Sequence, residues 1–148
     1  MAFRIFSNAF AEGGTIPRLH TCEGADVSPS LEWRDPPTGT LSFALLTEDP
    51  DAPSGLWTHW MLWDIPAGVR TLAQGAERVG IAGMNDFGRP GYGGPCPPAG
   101  QTHRYYFRLY AIGVATLGLS AGARRGAFDA AITGHLLGEA SCMGRFQR

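Results

Sequence analysis

Charge of one sign is what this chain has least of: 12 basic side chains stand against 13 acidic ones, for a net charge of −1. That balance argues against a nucleic-acid binder that relies on bulk positive potential. Charged residues make up only 17% of the 148 positions, and no apolar run approaches the ~20 residues of a membrane-spanning helix. The opening stretch, Met1-Ala2-Phe3-Arg4-Ile5-Phe6, lacks the basic and apolar regions of a secretory signal, so the expected location is cytoplasmic. Cysteine is scarce. Cys22, Cys96 and Cys142 are an odd number without metal-like pairing, and three free, reduced thiols are expected. Repeats and low-complexity linkers are also missing, so residues 1–148 read as a single domain.

Glycine and proline are plentiful, at 21 and 11 residues, close to the level at which disorder is suspected. Eight Phe, four Tyr and four Trp contradict disorder, because aromatics are what disordered chains lack. The compromise is a turn-rich, mainly β domain. Strand-like runs cover Leu41–Thr47, His59–Ile65 and His103–Ala111, each bounded by proline- or glycine-rich sequence. The second is apolar on both faces and reads as covered on both sides. In the third, His103, Tyr105, Phe107 and Leu109 share one face, with Arg104 and Arg108 on the other. Helical spacing is confined to Ala121–Leu137, where Ser120 is a plausible N-cap and Gly126 and Gly134 predict two short pieces. A last strand is expected over Glu139–Phe146.

Polar residues collect at the strand ends. Asp49 and Asp51 follow the first strand at a spacing that can aim both carboxylates the same way. His59 opens the second strand behind Trp57, and His103 and Tyr105 open the third on one face. Two turn-rich loops lie beside them, Asp49–Gly55 and Asn85–Gly100; the second is long enough to suggest a binding role. A pocket at one end of a sandwich is the inference. Each part alone has a plainer reading: Asp-Pro-Asp as a solvated turn, a strand-start histidine as a structural hydrogen-bonding group, Trp60 and Trp63 as core. His20 and His135 are assigned to the structural class.

In combination the pattern is specific. Asp49-Pro50-Asp51-Ala52-Pro53, Trp57-Thr58-His59-Trp60, Gly91-Tyr92-Gly93-Gly94-Pro95-Cys96-Pro97-Pro98 and His103-Arg104-Tyr105 resemble the phosphatidylethanolamine-binding protein family. The likeness is greatest to its short bacterial branch, which is related to Raf kinase inhibitor-like proteins. It extends from Ser7-Asn8-Ala9-Phe10 through Cys22-Glu23-Gly24 to Gly144-Arg145-Phe146-Gln147-Arg148. The resemblance implies a β-sandwich of two antiparallel sheets with short C-terminal helical segments. It also implies an anion pocket built from Asp49, Asp51, His59, His103 and Tyr105, with Trp57 as a wall and Gly93, Gly94, Pro95, Pro97 and Pro98 as the rim. No metal or other cofactor is implied. A cis Ala52–Pro53 bond and homodimeric pairing are. The stretch between Pro53 and Trp57 is shorter than in animal relatives, and Phe146 stands where bacterial relatives often carry tyrosine.

The expected function is non-enzymatic binding of a small anion (phosphate, sulfate, acetate or a phosphorylated headgroup). Two imidazoles able to protonate near neutral pH favour it, and affinity for sulfate is expected to rise toward acid pH; the two aspartates oppose it unless they hold the imidazoles in place. The alternatives are a protein kinase or protease inhibitor or scaffold acting through its surface, and an acid–base phosphoester hydrolase, for which Ser54 and Cys96 are the nearest nucleophiles but lack an evident base. A two-His, one-carboxylate metal site is a further reading.

Overall fold

Alternating and doubly apolar runs become strands where they can bury a face, and in this chain nearly all do. In a computed structural model describing residues 2–76 and 78–148, eight strands appear: β1 (Arg4–Phe6), β2 (Leu31–Arg34), β3 (Ser42–Asp49), β4 (Trp57–Pro66), β5 (Thr71–Leu72), β6 (Ile81–Ala82), β7 (Thr102–Ile112) and β8 (Leu136–Gln147). One 3₁₀ turn (Arg18–His20) and one helix, α1 (Arg125–Ile132), complete the order. The strands form a three-stranded sheet, β1-β2-β5, and a five-stranded sheet, β6-β4-β3-β7-β8, antiparallel throughout.

The main core gathers Ile5, Leu31 and Trp33 from the small sheet with Phe43, Leu45, Trp60, Leu62, Phe107 and Leu109 from the large one. The outer face of the large sheet is apolar too. Ala44, Leu46, Met61, Trp63 and Ile112 pack there with Phe128 and Ile132 of α1. Strands β3 and β4 are therefore covered on both sides, which is why they lack polar alternation.

Two irregularities in β4 decide which way its side chains face. Between Thr47↔Trp60 and Glu48↔Thr58 the β4 strand carries one extra residue, His59. The bulge turns His59 and Trp60 to the same, inner face, whereas strict alternation would put His59 with Met61 and Trp63 on the outer one. A second shift lies between Phe43↔Ile65 and Leu45↔Leu62. There Asp64 takes φ 54° and its carboxylate accepts hydrogen bonds from Thr116 Oγ1 (3.0 Å) and the Leu117 amide (2.8 Å).

Several sequence expectations need correction. Only one helix forms over 121–137, capped at Arg124 without a side-chain bond rather than at Ser120. His135 and Leu136 lie outside it. Leu136 pairs with Ile112 of β7, and an eleven-pair ladder outweighs a glycine-weakened helical signal. The Ala52–Pro53 bond is trans, as are all described peptide bonds. The reversal is made instead by the Asp51 amide donating to Asp49 Oδ1 (2.7 Å), the Gly55 amide donating to Ala52 O (2.9 Å), and Gly55 at φ 100°. Cys22 and Cys96 are joined in a disulfide with Cα atoms 5.4 Å apart, so Cys142, buried in the core, is the free thiol. A sequence separation of 74 residues hides the pairing from any local motif. With it goes one support for a cytoplasmic location, since disulfides persist chiefly in oxidising compartments. No helix among the described residues is long and apolar enough to cross a membrane.

Candidate functional site

The ends of β3, β4 and β7 meet at one end of the large sheet, where they enclose a cleft of about 280 Å³. That is near the small end of ligand sites, which span ~300–1,000 Å³. Asp49, Trp57, His59, His103, Tyr105, Pro97 and Pro98 line it, as the sequence anticipates. Ala52, Pro53, Ser54, Phe87 and Cys96 line it as well.

Asp49 and His103 form the buried polar floor. His103 Nδ1 is 2.7 Å from Asp49 Oδ2, with both side chains almost wholly shielded from solvent. His103 Nε2 lies 2.9 Å from the Gln101 side-chain amide oxygen. The other Asp49 oxygen accepts the Asp51 amide, so the carboxylate fixes both an imidazole and the turn leaving β3. Tyr105 stands between the imidazoles, its ring 5.2 Å from His59 and 6.5 Å from His103. The Tyr105 hydroxyl is buried and has no hydrogen-bond partner among the described residues. Burial, reinforced by the charges of Asp49 and Asp51, holds its phenol well above the ordinary range, so it stays protonated.

His59 owes its orientation to the bulge and to the long loop. Its Nδ1–H donates to Gly93 O (2.6 Å), and the Gly93 amide donates back to His59 O (2.9 Å). This reciprocal pair leaves Nε2 as the ring nitrogen not committed to the backbone. Burial pushes the imidazole pKa below its usual 6.5 despite opposition from the Gly93 carbonyl and Asp49. Protonation of His59 in the free protein therefore belongs to a more acidic window than the sequence implies.

Three rim residues serve from behind. Gly93 braces His59; the Gly94 amide donates to Asp26 Oδ1 (2.8 Å); Pro95 O accepts the Cys22 amide (3.1 Å). A side chain at Gly94 would run into the His20 carbonyl oxygen, and one at Gly93 into the Phe87 ring. That crowding explains the consecutive glycines. Phe87 contacts both Trp57 and His59 edge-on, at 5.5 and 5.3 Å. Asn85 holds its turn, accepting the Phe87 amide (2.9 Å) and donating to Gly91 O (2.9 Å). The Asx turn at Asn85 is a sequence signal that could have placed Phe87 at the site.

Asp51 departs from expectation. Its carboxylate turns outward and takes Arg104 in a two-pronged pair, Nε to Oδ2 (2.9 Å) and Nη2 to Oδ1 (2.8 Å), with the Arg104 amide also on Oδ2. Those Arg104 hydrogen bonds hold its pKa at about 2 against the opposing effect of burial. Asp51 therefore shapes the turn and does not line the cleft. The metal reading is not assembled either: no group of three His, Cys, Asp or Glu side chains among the described residues is placed to hold an ion. Cys96, a nucleophile candidate, is committed to the disulfide.

Comparison with known proteins agrees with the geometry. The family model described as phosphatidylethanolamine-binding protein matches residues 6–147. A UPF0098 protein of Aquifex aeolicus is 46% identical over 97% of this chain and 88% of its own. One from Methanothermobacter thermautotrophicus is 43% identical over 96% and 97%. Among solved structures, a phosphatidylethanolamine-binding-protein homologue from Chlamydia trachomatis superposes with a TM-score of 0.94 at 37% identity, covering 99% of this chain and 98% of its own. Escherichia coli YbcL, described as a new member of the mammalian family, also gives 0.94, at 31% identity over 100% and 99%. The two-sheet fold, a family match across nearly the whole length and these relatives together show that the chain belongs to the phosphatidylethanolamine-binding protein family.

Proposed function

We propose that the cleft binds a small oxyanion, a phosphate or a phosphorylated headgroup, and does so without turning it over. The observation that carries this reading is the Asp49–His103 pair at the cleft floor beside a buried Tyr105 hydroxyl that has no partner among the described residues. Polar groups placed this deep among apolar walls are what fix a small ligand's orientation. Asp49 resolves the conflict of a carboxylate in an anion site by acting on the protein: it orients an imidazole and a backbone amide rather than facing the ligand alone. The two nucleophile candidates do not suggest covalent chemistry. Cys96 is oxidised, and Ser54 makes no hydrogen bond to an imidazole or carboxylate among the described residues.

Calorimetric titration with inorganic phosphate near pH 6 tests the proposal. We expect saturable one-to-one binding, weakened by about 1–3 kcal/mol in His103→Ala, because loss of the imidazole leaves a buried Asp49 oxygen unpaired and facing the anion. Absence of saturable binding at millimolar phosphate in the wild type would overturn it. So would unchanged affinity in a folded His103→Ala variant.

A further inference from the structure

Resting on that reading, we propose that the cleft selects an oxyanion that brings its own proton: the monoanion of a phosphate monoester, whose P–O–H donates to His59 Nε2.

The hydrogen-bond pattern around the cleft points to a donor on the ligand. His59 Nδ1–H is spent on the Gly93 carbonyl, and the Gly93 amide returning to His59 O locks the ring's backbone in place. The neutral ring thus turns a lone pair, at Nε2, toward whatever the cleft holds. His59 is buried, and that burial disfavours imidazolium in the free protein against the opposing charges of Asp49, Asp26 and Asp86. Both Asp49 oxygens are already acceptors, from His103 and the Asp51 amide. Fixed positive charge is missing from the lining, which contains no arginine or lysine. The nearest guanidinium in sequence, Arg104, is held outside by Asp51.

A dianion entering this cleft would set its oxygens against a lone pair and a carboxylate, with no arginine or lysine among the described lining residues and the one ion-paired imidazole, His103, already committed to Asp49. That is an unpaired buried charge, which is costly. A monoprotonated monoester matches instead. Its O–H donates to His59 Nε2, and another of its oxygens accepts the Tyr105 hydroxyl, a buried donor without a partner among the described residues. The edge-on packing of the two rings at 5.2 Å keeps this acceptor and donor side by side. Trp57, Phe87, Pro97 and Pro98 then face the ester substituent, so a flat apolar group suits the walls. Discrimination through a missing hydrogen is potent because the analogue lacking it leaves a buried acceptor unpaired.

Phenyl phosphate and phenyl sulfate make a matched pair of probes. Near pH 5.5 both carry about one negative charge, and they differ in the ligand hydroxyl, since a phosphate monoester loses its second proton only near pH 6. We expect phenyl phosphate to bind at least tenfold more tightly than phenyl sulfate at that pH, by calorimetry on the oxidised 148-residue chain. Its affinity should fall about tenfold per pH unit well above its second ionisation. In His59→Gln the ratio between the two ligands should shrink, read by ligand-observed NMR on protein whose circular dichroism matches the wild type. Equal affinities of the two probes in the wild type, or phosphate binding that tightens above pH 7, would overturn the selectivity while leaving oxyanion binding intact. Failure of both probes to bind would overturn the binding reading along with it.

Discussion

Removing the Cys22–Cys96 bridge tests how the long loop is held. The bond spans 74 residues, and for a loop of that length the chain-entropy relation gives about 4.5 kcal/mol of stabilisation through the unfolded state. The folded rim has other ties. Tyr92 Oη donates to His20 O (2.7 Å), the Gly94 amide to Asp26 (2.8 Å), the Cys22 amide to Pro95 O (3.1 Å), and Arg89 pairs with the same Asp26 at 3.1 Å. A Cys22→Ser/Cys96→Ser double variant should therefore fold with its cleft intact yet lose about 3–4.5 kcal/mol, the lower bound allowing for structure left in the denatured chain. At about 2–4 °C per kcal/mol for a chain of this size, that is a fall in Tm of roughly 6–18 °C. Urea titrations of wild type and variant, with and without reductant, measure it. Thiol titration checks the premise: Cys142 is buried, and that burial pushes its thiol up to about 12, so it should react only after denaturation. One thiol in denatured, unreduced protein and three after reduction are expected. Three thiols without reductant would refute the bridge. A variant less than about 1 kcal/mol weaker than the wild type would refute the entropic reasoning.

Other expectations follow from the same contacts. Glu48 is buried between Arg108 (2.7 Å) and Arg125 (2.9 Å); Glu48→Gln should cost about 2–3 kcal/mol in denaturant unfolding, below the 3–5 of a fully buried pair because both arginines retain some solvent. Gly94→Ala should lose about 2–3 kcal/mol, because the new methyl meets the His20 backbone, which cannot move aside, as well as the Asp26 carboxylate that accepts the Gly94 amide. Gly126→Ala, in α1 with open space around it, should gain about 0.4–1 kcal/mol, and a loss there would contradict the helix assignment. Burial lowers the His59 pKa in the folded state, so below about pH 6.5 the unfolded chain binds a proton that the folded chain does not. Stability should decline as pH falls from 7 through that value, and the His59→Gln variant should show a shallower decline in its urea midpoint.

What the sequence determines is the set of long strands and their burial. Tyr105, Phe107 and Leu109 are inward because they alternate with Arg104, Tyr106 and Arg108, and β7 has the period-2 burial that this spacing requires. The apolar run of β4 likewise implies cover on both faces, since no water-facing strand tolerates Trp60, Met61, Leu62 and Trp63 in succession. The Asp49, His59, His103 and Tyr105 combination is legible because each residue stands where a strand gives way to a turn. Tertiary structure decides the rest. Nothing in Trp57-Thr58-His59-Trp60 says that one residue will be extra against β3, yet that bulge alone brings His59 to the same face as Tyr105. Asp51 was free in sequence to join Asp49, and the Arg104 guanidinium on the neighbouring strand β7 drew it outward. Cys22 and Cys96 meet because the loop bearing Cys96 folds back over the 3₁₀ turn at 18–20, a contact that no local spacing encodes. Local pattern fixes which residues must be buried or turned, whereas the choice of partner among distant segments depends on packing that exists only once the sheets have closed.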